Sequence, residues 1–382
     1  MAGSASVATA YGMARYGYGL LLPDIQDNLG LTATVLGAIG TLAYAAYVAM
    51  TTLVGRCIVR VGQRATVVAG GLLAVVGTVV IALAHGPALL AAGVGVAGAS
   101  AGLVHPPFAD AVDRLPATIR ARTLATISCG TGWGVAVAAP IAIVAGDKWR
   151  TAFLGFAACT IASTLFAAHA LPRRRNRDRT VHPLTSDSSP PGGRRLPRPK
   201  RVVTLMRVGA LLTGLGSAPF WTFAVDAVRE AGLDQTAGRA LLGVTGVASI
   251  LASGVADVIR RLGATRTFVL CALLEAAAIA TIGLAPNRLV VVLVAAATFG
   301  ATYNMLVNVT VLWGTRLYPH QPSAGSAKAV SAQAAGLLCG PLLGGVVADA
   351  IGLTATLFGG AAIILVTAFF APRSDVIQGA VK

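Results

Sequence analysis

Twelve long apolar runs separated by short polar connections constrain this 382-residue chain more than any other feature. A bilayer core of about 30 Å needs about 20 mostly apolar residues per helix, and each run is close to that length or longer. Because the runs are continuously apolar and do not alternate, they predict helices and not barrel strands. The sequence therefore predicts an all-α membrane protein with twelve transmembrane helices, at residues 4–25, 34–57, 65–84, 88–109, 122–145, 150–171, 203–226, 238–259, 266–284, 288–314, 327–348 and 352–371.

The composition agrees with a lipid environment and not with a water-soluble domain. Hydrophobic residues make up 55% of the chain and charged residues 12%, against about 45–50% and about 25% in soluble domains. The net charge of +16 does not indicate nucleic-acid binding. About a third of the basic residues lie within residues 172–201, and most of the others lie in gaps between apolar runs, where they report membrane orientation.

The positions of these basic residues predict the orientation of the chain. They concentrate in alternate gaps, for example at Arg56, Arg60 and Arg64 after the second span, whereas the first gap carries the acids Asp24 and Asp27. The other gaps on that side carry few cations: Lys148, Arg150, Arg229, Arg239 and Arg288. The chain is therefore expected in the bacterial inner membrane, with both termini in the cytoplasm.

An internal repeat at an offset of 201 to 202 residues predicts two copies of a six-helix unit. Its corresponding pairs are Gly30 and Gly232, Gly62 and Gly263, Arg64 and Arg266, Arg114 and Arg316, and Pro140 and Pro341. The expected domains are residues 1–171 and 202–382, joined by a basic, disordered cytoplasmic linker at 172–201 that contacts membrane lipid. Repeats of this kind place a substrate site between the halves, which rock to expose it to either side.

Two local motifs, one in a loop and one in a predicted helix, are conspicuous in the sequence. The segment between the second and third spans contains Gly55, Arg60, Gly62 and Arg64, and a weaker copy contains Gly263. The eleventh span contains the gxxxGPxxGG pattern, at Gly336, Gly340, Pro341, Gly344 and Gly345. With these motifs the chain resembles the major facilitator superfamily over essentially its full length, and the first motif is in register with the family's loop between the second and third helices. The resemblance implies a transporter in which these positions permit helix movement.

The chain also departs from the family pattern at three places. Val59 and Arg260 stand where the loop motif and its copy usually have an acid, which Asp257, Asp110 or Asp113 would replace. Val94 stands where an arginine is expected in the fourth span, which weakens a proton-coupling role there. The fifth span keeps Pro140 without the accompanying glycines, so the antiporter motif is intact only in the second half.

Charged residues inside a membrane are costly and mark candidate functional sites. Arg15 lies midway along the first span, and α-helical spacing places Tyr11 and Tyr18 on its face. We interpret Arg15 as a substrate-binding cation, the alternative being a structural arginine. Glu275 in the ninth span is a proton-carrier candidate, the alternative being a structural or snorkelling group. His105, before two prolines, is a candidate for substrate or proton binding.

Polar and aromatic residues at helical spacing extend the predicted substrate site, either by lining the cavity or by bonding neighbouring helices. They are Tyr44 and Tyr47 in the second span, Trp221 in the seventh, and Asn304 and Asn308 in the tenth. The GxGxxG spelled by Gly93, Gly95 and Gly98 lacks a preceding strand, so it predicts helix packing and not a dinucleotide site. No enzyme activity, cofactor or metal is expected.

These features predict a secondary active transporter that works by alternating access. We favour proton-linked export of a small amphipathic or anionic compound. The alternatives are an organic-anion uptake carrier and a non-transporting membrane receptor or scaffold.

Overall fold

The computed structural model describes residues 1–112, 123, 126–127, 129–171, 200–318 and 322–372, with side chains except at 55–60, 105, 109–112, 200 and 322–324. Within these ranges the chain forms helices and no strands. Ten helices are long and apolar enough to cross a membrane, and Gly130–Ala145 is a shorter apolar helix. With the interrupted first helix, the described residues contain twelve helical segments at the positions of the predicted spans, and the multi-pass membrane fold is confirmed.

Two of the twelve helices change their hydrogen-bonding pattern in their interior, and a third, α12, changes it at its end. Helix α1 consists of Ala2–Val7, a π-helical Ala8–Arg15, Gly17–Leu20 and Leu22–Leu29. Helix α8 consists of Gln235–Ala248, a 3-10 segment Ser249–Gly254 and Val255–Leu262. The others are α2 (Ala33–Val61), α3 (Gln63–Ala82), α4 (Pro87–Val112), α5 (Gly130–Ala145), α6 (Trp149–Ala170), α7 (Lys200–Glu230), α9 (Ala264–Leu284), α10 (Leu289–Leu317), α11 (Pro322–Ile351) and α12 (Leu353–Thr367, then 3-10 Ala368–Phe370).

The predicted repeat is visible in the backbone at the loops before α3 and α9. Gly62 has φ 88° and ψ 164°, and Gly263 has φ 80° and ψ 156°. A residue with a Cβ rarely adopts this conformation, so both copies use glycine at the same point of the turn. The side chains of Gly55–Arg60 lie outside the described residues. Arg64 is half-buried in the first turn of α3.

The glycines of α11 bring this helix against both of the helices that flank it. A Cβ on Gly336 or Gly340 would collide with α7, at Leu211 and Ala218 respectively. Gly345 lies against the backbone of Ala33 at the start of α2. The close approach uses the small residues that membrane helix interfaces favour. Pro341 lies inside a continuous helix and packs on Gly37 and Gly40 of α2.

Several buried threonine hydroxyls donate to carbonyls of their own helix, which suits a lipid-facing bundle. Thr160 donates to the Phe156 carbonyl at 2.7 Å, and Thr245 donates to the Leu241 carbonyl at 2.9 Å. Both bonds reach the carbonyl four residues earlier, as threonine does in helices that lack water.

Candidate functional site

A central cavity of about 140 Å³ lies between the first six and the last six helices. Helices α1, α2 and α5 line it from one side, and α7, α8, α10 and α11 line it from the other. The lining residues are Tyr11, Arg15, Tyr16, Tyr47, Thr131, Gly132, Val135, Trp221, Gly246, Ser249, Tyr303, Asn304, Val307, Val330, Gln333, Ala334 and Leu337. Among these described residues, Arg15 alone carries a formal charge, and none is acidic.

Arg15 is held in a ring of tyrosines. Arg15 as a whole residue is only 8% exposed. The guanidinium carbon lies 4.2 Å from the ring centroid of Tyr44, 4.3 Å from Tyr47, 5.5 Å from Tyr16 and 5.7 Å from Tyr11. These are cation–π distances, which orient the cation without neutralising it.

One donor of Arg15 lacks a partner. Its Nε atom is buried, and no described residue accepts a hydrogen bond from it. A buried cation without a carboxylate is costly, since cation–π contacts replace only part of the lost hydration. The arrangement therefore favours an anion in the cavity.

The π-helical turn explains why Tyr16, and not Tyr18, joins this site. The amide of Tyr16 donates to the Tyr11 carbonyl at 3.0 Å, five residues back, so the extra residue per turn rotates the face after Arg15. Tyr18 instead donates its hydroxyl to the Leu36 carbonyl at 2.9 Å. Tyr18, which α-helical spacing predicts on the face of Arg15, is therefore not among the residues that line the cavity.

Trp221 forms the wall of the cavity on the side of α7. Its ring lies 4.6 Å from Tyr16, and 5.5 Å from each of Phe299 and Tyr303. The residue is 6% exposed, and its buried indole Nε1 has no acceptor among the described residues. Arg15 and Trp221 thus line the cavity from opposite sets of six helices, and each has one buried donor without an acceptor among the described residues.

The two predicted asparagines differ in position. Asn304 lines the cavity, and its Nδ2 donates to the Gly300 carbonyl at 3.4 Å. Asn308 donates to the Ala252 carbonyl of α8 at 3.4 Å and does not line the cavity. Gln333 was not predicted, yet it lines the cavity and donates to the Tyr303 hydroxyl at 3.3 Å. The sequence feature that could have identified Gln333 is its polar side chain within the apolar eleventh span.

Glu275 lies away from the cavity lining, on α9, which packs against α10 and α12. The residue is 0% exposed, and neither carboxyl oxygen has a partner among the described residues. A snorkelling carboxylate would reach solvent, so that alternative is wrong. The side chain of His105, the other proton-coupling candidate, lies outside the described residues.

A cluster of charged side chains closes one end of the bundle, and we call Asp24, Asp27, Arg229, Gln235 and Arg239 the charged cluster. Arg239 donates to Asp24 at 2.9 Å, and Arg229 lies 3.6 Å from Asp24. Arg229 also pairs with Asp27 at 2.5 Å, and Gln235 contacts Asp24. By charge distribution this is the predicted outer end. The sequence identified the four charged members only as gap charges and did not single out Gln235.

Further contacts at the same end join the two sets of helices. Arg239 also donates to the carbonyls of Ala142 and Gly146 of the α5 end, both at 2.8 Å. Asp349 of α11 accepts hydrogen bonds from the amides of Ala33 (3.0 Å) and Thr34 (2.8 Å), and so caps α2. Polar contacts, buried or partly buried at Arg239 and more exposed at Asp349, therefore join the two sets of helices at this end.

Asp257, one of the predicted replacements for the missing loop acid, makes its ion pair within its own helix. Asp257 pairs with Arg260 at 2.6 Å, three residues along the same helix, and both side chains are about two-thirds exposed. Asp110 and Asp113 lie outside the described side chains, as does the linker at 172–199.

Comparison with solved structures shows the fold. A D-xylose-proton symporter superposes with a TM-score of 0.78 at 14% identity, over 98% of this chain and 97% of that one. A nucleoside transporter, NupG, superposes with a TM-score of 0.74 at 11% identity, over 96% of each chain.

Comparison with curated proteins finds a relative of similar length. The "Transcription regulatory protein OpdE" of Pseudomonas aeruginosa PAO1 is 26% identical in an alignment 378 residues long, which covers 91% of this chain and 87% of that protein. The sequence model of the Major Facilitator Superfamily matches residues 5–259, more than half of the chain. This protein therefore belongs to the Major Facilitator Superfamily.

Proposed function

We propose that this protein is a secondary active transporter that exports a small organic anion from a bacterial cell, coupled to protons. The observation that carries the proposal is Arg15, a buried cation on the central cavity with an unpartnered Nε and no acidic residue among the described lining. A substrate anion would supply the missing charge and acceptor. An amphipathic neutral compound would leave the cation uncompensated.

The contacts around the cavity support alternating access. Two groups of contacts join the two sets of six helices at the predicted outer end. They are the charged cluster and the cap of α2 by Asp349. For the cavity to open there, these contacts must break and the glycine face of α11 must separate from α2. The predicted domains, 1–171 and 202–382, would move as the two bodies of this cycle.

Glu275 supports the proton-linked part of the proposal. An ionised carboxylate without a partner costs several kcal/mol in a low-dielectric interior, whereas a carboxylic acid costs less. A group in this position can hold a proton during one part of a cycle and release it when the surrounding helices move. His105 remains a second candidate.

Proton movement in everted vesicles with an acid interior tests the proposal. Benzoate, acetate, a lipophilic cation and a neutral amide are added to the wild type and to Arg15→Gln. We expect proton efflux with an anion in the wild type and its loss in the variant. No efflux with any of these compounds, from folded and inserted protein, would contradict proton-linked export for this panel.

Organic-anion uptake uses the same site in the opposite direction. Import into right-side-out cells that is abolished by Arg15→Gln, without export from everted vesicles, would favour that alternative.

A membrane receptor is a second candidate function, favoured by the printed name of the relative OpdE. In that case the cavity would bind its anion to signal and not to move it. Deleting residues 180–190 of the basic linker separates the two. A carrier should keep transporting its substrate, whereas a receptor that signals through the linker should lose its output.

A further inference from the structure

We infer that the central cavity takes a small, flat aromatic carboxylate that carries a second hydrogen-bond acceptor opposite its carboxylate. This inference rests on the proposed anion site at Arg15 and names the class of substrate. The size of the cavity, the rigidity of its aromatic walls and two lining residues with buried, unpartnered donors each support it.

The volume of the cavity matches a ligand of about one ring. Its volume is about 140 Å³, and an apolar protein cavity of about 150 Å³ holds a benzene molecule. A single aromatic ring with short substituents therefore fills the space, with the carboxylate directed toward the tyrosines around Arg15.

The walls of the cavity favour a flat ring over a puckered one. The Trp221 ring meets Phe299 and Tyr303 edge-on, at interplanar angles of 73° and 69°. Phe299 stacks in turn on Phe220, with 3.5 Å between centroids. These buried rings fix one another, so the wall cannot adapt to a thicker ligand at low cost. Aromatic rings pack on each other through faces and edges, which a planar ligand can continue.

Two lining residues on opposite sides of the cavity each have a buried donor without an acceptor among the described residues, and a ligand with an acceptor at each end would satisfy both. Arg15 comes from α1 and Trp221 comes from α7, and Tyr16 lies between them, 5.5 Å from the Arg15 guanidinium carbon and 4.6 Å from the Trp221 ring. A carboxylate accepts from Arg15 Nε, and a phenolic oxygen across the ring accepts from Trp221 Nε1. Such a ligand joins the two sets of six helices directly.

Ligand binding to the purified full-length chain in lipid nanodiscs tests the inference by calorimetry. The probes are 4-hydroxybenzoate, benzoate, cyclohexanecarboxylate and acetate. Trp221→Phe keeps the ring and removes the N–H. Trp313→Phe is the matched control, because Trp313 Nε1 is also buried and unpartnered but lies outside the cavity lining.

In the wild type we expect 4-hydroxybenzoate to bind about tenfold more tightly than benzoate, the effect of about one buried hydrogen bond. Benzoate should bind more tightly than cyclohexanecarboxylate, and acetate most weakly. Trp221→Phe should abolish the advantage of the hydroxyl group and change benzoate affinity by no more than about twofold. Trp313→Phe should retain the full advantage.

Two results would overturn the inference while leaving the proposed anion site intact. One is equal affinity for benzoate and cyclohexanecarboxylate, and the other is a hydroxyl advantage that survives in Trp221→Phe, each with binding that depends on Arg15. The comparison of benzoate with cyclohexanecarboxylate needs only the wild type, so it tests the preference for a flat ring even if the tryptophan variant does not fold. Failure of folded wild type to bind any of the four carboxylates would overturn both the inference and the proposed function.

Discussion

Arg239 and Asp24 form an ion pair of 2.9 Å that joins the start of α8 to the end of α1, and their side chains are 3% and 6% exposed. Arg239 also donates to two carbonyls at the end of α5, so a single side chain spans the interface between the two sets of six helices. Removing one partner of a buried ion pair destabilises the folded arrangement by several kcal/mol, because the other charge stays buried without compensation. The pair is therefore positioned to hold the closed end together.

Asp24→Asn should make this end of the bundle open more often. If the substitution removes even about 1.4 kcal/mol of the stabilisation from the ion pair, the equilibrium constant between the closed and open arrangements changes about tenfold. The measurement is the rate at which a membrane-impermeant maleimide labels an Ala139→Cys reporter, in a background without other cysteines. Ala139 is 2% exposed and faces Gly243 of α8.

Asp257→Asn is the matched control for Asp24→Asn, since it removes an exposed ion pair with Arg260. It should leave labelling unchanged, because exposed pairs contribute little. Equal labelling rates for wild type and Asp24→Asn would contradict a closing role for the charged cluster.

Gly345→Leu should prevent closure between α11 and α2. A Cβ at this position already collides with the Ala33 carbonyl oxygen, so a leucine cannot fit while the helices touch. We expect transport to fall at least about tenfold, with faster labelling at Ala139→Cys. Gly359→Leu is the control, since Gly359 has open space around its Cβ position. Equal loss of transport in both variants would indicate a general folding defect and contradict the specific role.

Tyr47→Leu should weaken anion binding, while Tyr47→Phe should leave it nearly unchanged. The Tyr47 ring centroid lies 4.3 Å from the Arg15 guanidinium carbon, and one cation–π contact contributes about 0.5–2 kcal/mol. The expected loss of benzoate affinity is therefore about 2- to 30-fold. Tyr318→Leu removes a comparable contact with Lys328, 4.2 Å from that ring, and should not change benzoate affinity. Equal affinities of the Leu and Phe variants of Tyr47 would exclude a role for the ring.

Glu275→Gln should abolish proton movement and preserve anion binding. Glutamine has the shape of a protonated glutamate but cannot exchange a proton, and a fully buried site accepts a neutral side chain at low cost. Proteoliposomes with a trapped pH-sensitive dye report the proton flux, and calorimetry reports benzoate binding. Proton flux at the wild-type rate in Glu275→Gln would exclude this residue as the carrier.

Much of the fold follows from the sequence because lipid imposes a simple rule on composition. Each apolar run of the required length corresponds to a helix, and the glycines of α11 lie at helix contacts as small residues should. The observed helices α2, α7 and α11 extend beyond their apolar runs, since helical hydrogen bonding continues into polar residues at the membrane surface.

The site is less predictable, because its membership depends on local geometry and on packing between distant helices. Tyr16 replaces Tyr18 through a π-helical turn that residue spacing does not reveal. Ser249 lies where α8 changes to a 3-10 segment, and Gln333 reaches the cavity from α11. Nothing in the spacing of Asp24 and Arg239, more than 200 residues apart, indicates that they pair.

The proposed transport of an organic anion depends most on Arg15 as the residue that binds the anion. The most direct measurement is equilibrium binding of radiolabelled benzoate to wild type, Arg15→Gln and the control Arg288→Gln, which removes an exposed loop cation. Benzamide serves as the neutral competitor. We predict more than about tenfold weaker binding in Arg15→Gln alone, and no competition by benzamide. Benzoate binding that is equal in wild type and Arg15→Gln would contradict the account.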